Sequence, residues 1–230
     1  MALAGEGAIL IWNDVTPEGR DDFYAWHLAE HMPERVGIPG FTRGRRYIAE
    51  GSGTAPEFFT LYETVSPEVQ LGQDYLARLN APTPWTRRAT QGFRNTARAL
   101  TRVRFSAGPG AGGALATLRL GLEAGAAEAL VTALAAGPLP RLALRPRLTG
   151  VHLCLTNQGA SAERTAESRE RTDIQAAPDG AVLVEGCDPA AVAAAVAELA
   201  AEPALAGLVL ATGFYRLEHE RLKTAHAPAP

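Results

Sequence analysis

The segment Trp26-His27-Leu28-Ala29-Glu30-His31-Met32-Pro33-Glu34-Arg35 brings together two histidines, two carboxylates, an arginine and an indole, just ahead of a Pro39-Gly40 turn. His27 and His31 are four apart, so a helix puts them on one face. An imidazole titrates near neutral pH and suits a general base or acid without much tuning. His31, at the helix end beside the turn, is the first candidate for that role, and His27 the second. Two other readings compete. His27-Leu28-Ala29-Glu30-His31 spells H-x-x-E-H, an inverted zinc-protease pattern, and histidines at that spacing can share a metal ion. No third ligand is evident from spacing and the chain is short for such a protease, so no metal is expected. In the blander reading, one histidine packs at the helix end and the other is solvated.

A second cluster follows at once. Arg43, Arg45 and Tyr47 alternate, and therefore share one face of a strand. If that face lines a cavity, the arginines could hold a carboxylate or stabilise an enolate or phenolate, and Tyr47 could donate a hydrogen bond. The competing reading is a charged edge strand that resists aggregation. The expected catalytic set is His31, His27, Arg45 and Tyr47. Around it, Trp12, Asn13, Trp26, Arg43, Tyr62 and Trp85 are expected to contact substrate. Asn13 could orient a carbonyl, while Asp14 reads as a turn or cap residue. Aromatics at these spacings also make ordinary core.

The chain has no GxxxxGK[ST], GxGxxG, GxSxG or CxxC motif. Nucleotide hydrolysis, hydride transfer and serine-type hydrolysis are therefore disfavoured, and no tightly bound organic cofactor is expected. A net charge of −3 over 230 residues argues against a nucleic-acid partner. Cys154 and Cys187 lie far apart without metal-like spacing, which suits a reducing compartment. The amino terminus lacks a basic region before an apolar core, and no apolar run is long enough to span a bilayer. A cytoplasmic protein without membrane contact is the expectation.

Hydrophobic patterning gives the elements that must position these groups. Strands are expected at 8–15, 41–50, 58–65 and 96–105, with helices at 16–35 and 67–79 between them. After the Gly/Pro-rich stretch 106–113, strands at 115–120, 148–157, 181–185 and 208–217 and helices at 123–136 and 189–201 repeat the order. Residues 2–7 and 225–230 read as tails. The order βαββαβ, twice, is the split-βαβ, ferredoxin-like unit. Each unit makes an antiparallel sheet with helices on one face, so two units can cover each other's bare faces. The expected fold is α+β: tandem ferredoxin-like βαββαβ repeats whose antiparallel sheets pack as an intramolecular α/β barrel, with a cavity between the sheets. Units of 1–107 and 114–222 flank a 108–113 linker, with a tail at 223–230. The first unit carries the chemistry, since the first helix of the second is mostly Ala, Leu and Gly.

Asn13-Asp14, the Trp26-to-Arg35 helix end, Pro39-Gly40-Phe41 and Arg45-Arg46-Tyr47 together resemble the dimeric α/β-barrel superfamily, and within it EthD-like and related branches. The resemblance covers about residues 7–106 well, and 113–218 by element order alone. It implies the fold and a cavity. It does not imply one reaction, because members include monooxygenases, isomerases, cyclases, dehydratases and haem enzymes. The expected function is cofactor-independent acid–base chemistry, of isomerase, cyclase or lyase type, on a hydrophobic aromatic or carbonyl-bearing compound. A haem- or metal-dependent or cofactor-free monooxygenase, or a non-catalytic small-molecule binder, are the alternatives. The chain is expected to act as a monomer or homodimer.

Overall fold

A computed structural model describes residues 2–169, 171 and 173–224; the expected tail from Ala225 lies outside them. The first strand, β1 (Gly7–Val15), is apolar on both faces because both are covered: Ala8, Leu10 and Trp12 point one way, and Ile9 and Ile11 the other. Thr16 then caps a short turn, its hydroxyl accepting from the Gly19 amide at 3.3 Å. A helical arm follows in three pieces: α1 (Arg20–Trp26), a wide π turn over His27–His31, and α2 (Met32–Gly37). The sequence predicts an unbroken helix here. The widening has a local cause. Pro33 has no N–H to send back to Ala29, and the Met32 amide reaches five residues back to the His27 carbonyl instead.

The remaining strands are β2 (Phe41–Ala49), β3 (Phe58–Thr64), β4 (Phe93–Ala107), β5 (Ala114–Leu120), β6 (Leu148–Thr156), β7 (Gly180–Gly186) and β8 (Val209–Leu222). In space the first four run β4-β1-β3-β2 and the last four β8-β5-β7-β6, the same order. Antiparallel pairing of β2 with β8 and of β4 with β6 closes an eight-stranded barrel within one chain. Helices α3 (Gln73–Asn80) and α4 (Pro84–Ala89) join the arm outside the first sheet. Outside the second lie α5 (Ala127–Ala135), α6 (Pro138–Ala143) and α9 (Pro189–Ala200), packed on it through Leu130, Leu134, Leu139, Val192 and Leu199. Two short helices, α7 (Gln158–Ala162) and α8 (Ala166–Arg169), interrupt the long β6–β7 connection and were not expected.

The interior between the sheets is packed rather than hollow, contrary to expectation. Trp12, Tyr47, Phe59 and Tyr215 fill its middle with Leu10, Leu61, Leu115 and Leu183. One end is closed by buried charge. Arg45 donates to Glu185 at 2.6 and 3.0 Å and to Glu63 at 2.9 Å, and Arg43 donates to Glu63 at 2.8 and 2.9 Å. Residues 2–7, expected to trail free, instead plug this end. Leu3 is buried in the core, its amide donates to Ser106 Oγ, and the Ala4 amide donates to Glu63 at 2.6 Å. Gly5 passes so close to β3 that a Cβ there would sit 2.0 Å from the Thr64 carbonyl oxygen.

Candidate functional site

Because side chains alternate, β2 sends its residues to two different environments. Arg43, Arg45 and Tyr47 share the inward face, as their spacing predicts. Arg46 lies on the outward face with the helical arm. Its guanidinium donates to Glu218 at 3.2 Å, stacks over Tyr24 at 4.6 Å, and lies 3.4 Å from His27 Nδ1. A guanidinium has only donors, so His27 Nδ1 must accept and the proton sits on Nε2. The sheet thus divides the expected catalytic set. His27 and His31 are outside it; Arg45 and Tyr47 are inside, buried in the packed barrel interior.

His31 is the residue left available for chemistry. It is 7 % exposed, its Nδ1 has no hydrogen-bond partner, and it borders a cavity of about 210 Å³. The ring lies 4.1 Å from the Trp26 indole, centroid to centroid. Trp26 is itself fixed: its Nε1 donates to Thr86 Oγ1 at 3.1 Å, and that hydroxyl donates on to Glu30 at 3.1 Å. Thr83 also donates to Glu30, at 2.6 Å. The glutamate of the H-x-x-E-H pattern is therefore spent on holding α4. Among the described residues no cluster of His, Cys, Asp and Glu is placed to hold a metal ion. Burial, with Arg35, His27 and Arg171 adding to it, pushes the His31 imidazole well below its ordinary value of 6.5. His27 is pushed down likewise, by burial and then Arg46. Both are neutral at physiological pH.

Under His31 lies Tyr62, ring to ring at 6.4 Å, with a buried hydroxyl that has no partner. Its cross-strand neighbour is Gly44, where an added Cβ would come within 2.9 Å of the Tyr62 ring and 3.1 Å of Met32. Only a residue without a side chain leaves Tyr62 room to lie flat beneath the arm.

The other expected contacts disperse. Trp12 points into the barrel, donating to Thr117 at 3.3 Å beside Phe59. Asn13 pairs with Phe58 on the outward face and donates to the Asp14 carbonyl. Asp14 ties strands together, accepting from the Glu57 amide and from Asn95. Trp85 donates to Asp22 at 2.9 Å, away from the cavity. Arg43 belongs to the barrel-end network.

Most of the cavity wall comes from residues no motif singled out. The β6–β7 connection crosses over from the second half and seals the outer stretch of β4. Ile174 bridges to Thr96 in parallel, the Gln175 amide donates to the Thr96 carbonyl, and Ser161 Oγ accepts from the Leu100 amide. Ser161, Thr165, Glu167, Arg171 and Ile174 face Ile11, Trp26, His31, Phe93 and Arg98 across the cavity. One signal was available. A connection from Asn157 to Asp179 is far longer than a hairpin needs, and such loops are usually functional.

No protein-family model matches the sequence, and no curated protein matches it. Solved structures do share its shape. An anthrone oxidase-like protein superposes with a TM-score of 0.60 at 12% identity, over 97% of this chain and 96% of that one. A putative monooxygenase from Lactobacillus acidophilus NCFM gives 0.50 at 10% identity, over 93% of each chain. A haem-binding protein from Thermus thermophilus gives 0.50 at 12% identity, over 93% of this chain and 91% of that one. These proteins belong to the dimeric α/β-barrel superfamily, and this chain has their fold, with the barrel closed by its own eight strands.

Proposed function

We propose that the chain is a small-molecule enzyme in which neutral His31 removes a proton from a hydrophobic aromatic or carbonyl-bearing compound held in the outer cavity, without a tightly bound organic cofactor. The observation that carries this reading is His31 Nδ1: buried, without a partner, and beside a cavity whose walls include Trp26, Phe93, Ile11 and Ile174. A buried polar atom without a partner costs free energy, and beside a cavity a ligand can offset that cost. A ligand proton would satisfy it. A depressed imidazole is a weak base in water, but it is always unprotonated at neutral pH and needs no neighbour to hold it so. The anion formed would lie in the field of Arg98 and Arg171, which border the same cavity.

The carbanion or phenolate so formed can be reprotonated elsewhere, which is isomerisation, or can expel a leaving group, which is lyase chemistry. It can also react with dioxygen. The likeness to an anthrone oxidase-like protein favours testing that branch. There, a ring CH₂ loses two hydrogens and gains one oxygen atom, and the second atom of O₂ leaves as water. A porphyrin fits poorly. The cavity is smaller than the usual range for drug-sized ligands, and Phe93, Glu167 and Arg171 wall it off from the adjoining groove of about 340 Å³. The matching space on the second half is filled by its helices. Placement in an EthD-like branch, as two fused repeats of 1–107 and 114–222 acting in the cytoplasm, belongs to the same proposal. Its support is the doubled strand order and the Trp26-to-Arg35 motif. A closed barrel has no open sheet edge, so a monomer suffices.

Anthrone in deuterated buffer tests the reading. Loss of its methylene proton signal is followed by NMR while oxygen uptake is recorded. Exchange accelerated by the protein, and slowed roughly 10²-fold or more in His31→Gln, is the expected result. Oxygen uptake in step with exchange selects the oxygenase branch. Acceleration that survives His31→Gln overturns the role of His31.

A further inference from the structure

We infer that the cavity recognises an aromatic acid, its carboxylate seated on the Arg98 guanidinium and its ring against Trp26 and Phe93. Arg98 stands on the outward face of β4, opposite Ile11 and between the inward-facing Ala97 and Ala99. It is half-buried beneath the β6–β7 connection and borders the same cavity as His31. Its guanidinium makes no hydrogen bond or ion pair among the described residues. The neighbouring arginines are occupied. Arg35 is bound by Glu34 and Glu167, Arg46 by Glu218, and Arg171 donates to Thr96 Oγ1 while lying 4.9 Å above the Phe93 ring.

Charge around the cavity is unbalanced in the same sense. Arg98, Arg164 and Arg171 border it, against Glu163 and Glu167. Glu167 is taken up by Arg35, and Glu163 is exposed at the rim. Burial pushes Arg171 down to about 10, with Arg98 and Arg164 adding to it against the opposing pull of Glu167 and Asp173. The site already holds more positive charge than its own carboxylates neutralise. A partly desolvated guanidinium without a counter-ion is costly, and a planar carboxylate meets its donors two at a time. The opposite wall is flat and aromatic, formed by Trp26 stacked on His31 with Phe93 edge-on to the indole at 6.0 Å. One end of the cavity thus suits an anion and the other a ring. The inference rests on this cavity being the ligand site of the proposed reaction, and it adds the substrate class.

Calorimetric titration with 2-naphthoate and with its uncharged amide, 2-naphthamide, tests it without turnover. The expected result is that 2-naphthoate binds about tenfold or more tighter, the worth of one charge-assisted hydrogen bond. In Arg98→Met that preference should fall to within about twofold while affinity for the amide is kept. Retained amide binding shows that the variant is folded, and Arg98→Lys, which keeps the charge, should retain part of the preference. Equal binding of the two probes by the unmodified protein overturns the inference, as does a preference that survives in Arg98→Met. His31→Gln separates the two readings. It should leave the carboxylate preference intact, so exchange chemistry that survives His31→Gln refutes the base without touching the acid-binding site, and equal binding of the two probes refutes the acid-binding site without touching the base.

Discussion

The two faces of the first sheet handle buried polarity in different ways. Inside the barrel, Arg45 is fully buried and meets Glu63 and Glu185, from strands in different halves, at hydrogen-bonding distance, while its Nε and the Tyr47 hydroxyl have no partner and are enclosed by packed core. Outside, His31 is nearly as buried and its Nδ1 meets nothing. A buried ion-pair network specifies architecture, because each member costs free energy when its partner is missing. An unsatisfied buried atom beside a cavity is held ready for something that is not part of the chain. Richness in charge is therefore a poor guide to the site here. The barrel-end cluster is bound up in ion pairs among its own residues, and the cavity holds His31 Nδ1 and the Arg98 guanidinium, which no hydrogen bond among the described residues takes up.

The comparison breaks most visibly on the inner face. Glu185→Ala leaves Arg45 with one carboxylate in place of two, and should cost about 3–5 kcal/mol in urea unfolding. A loss under about 1 kcal/mol would mean that water reaches the barrel end and the network is not a closed one. An intermediate effect is expected where the two faces meet. At Gly44, between Arg43 and Arg45, an alanine would press on Tyr62 and Met32, and should destabilise by about 1–3 kcal/mol. The same change should perturb the His31 site, seen as a change in its NMR titration. The smallest effect belongs to the outer face. His31→Phe removes an unpartnered nitrogen but keeps a ring against Trp26, and should alter stability by less than about 1 kcal/mol at neutral pH. It should also flatten part of the acid response. Both His27 and His31 bind protons less readily folded than unfolded, so the unfolded chain takes up more protons below pH 6.5. Stability is full above that pH and falls on acidification. A pH slope identical in His31→Phe and the unmodified protein would show that His31 is not depressed.

Much of the framework can be read from the chain. Period-two alternation correctly groups Arg43, Arg45 and Tyr47, and the apolar runs locate every strand. Alternation does not say which face meets the helices when both are buried, and so Arg45 and Tyr47 were expected beside the histidines they are separated from. The concentration of groups in Trp26–Arg35 marks the wall of the cavity. It does not mark the π turn, which depends on the missing amide of Pro33, nor Gly44, whose role is visible only against Tyr62. Arg98 stands alone in a strand of many arginines. The β6–β7 connection has no periodicity to read, and its contribution arises from crossing to the other half. Residues 2–7 lack any apolar pattern, yet Leu3 and the Ala4 amide reach positions that only the closed barrel creates.

That closure has a consequence for how the molecule is made. The register that shuts the barrel pairs Arg43 with Leu222, and β8 also completes the pairing of β5. Until β8 has been synthesised, both β2 and β5 present a bare line of amides and carbonyls to whatever strand arrives first. Contacts so distant along the chain make folding slow. The ribosome therefore releases this sequence through a period in which its two sheets are sticky at matching edges. For recombinant production, that places the hazard at translation speed and temperature rather than at the finished surface.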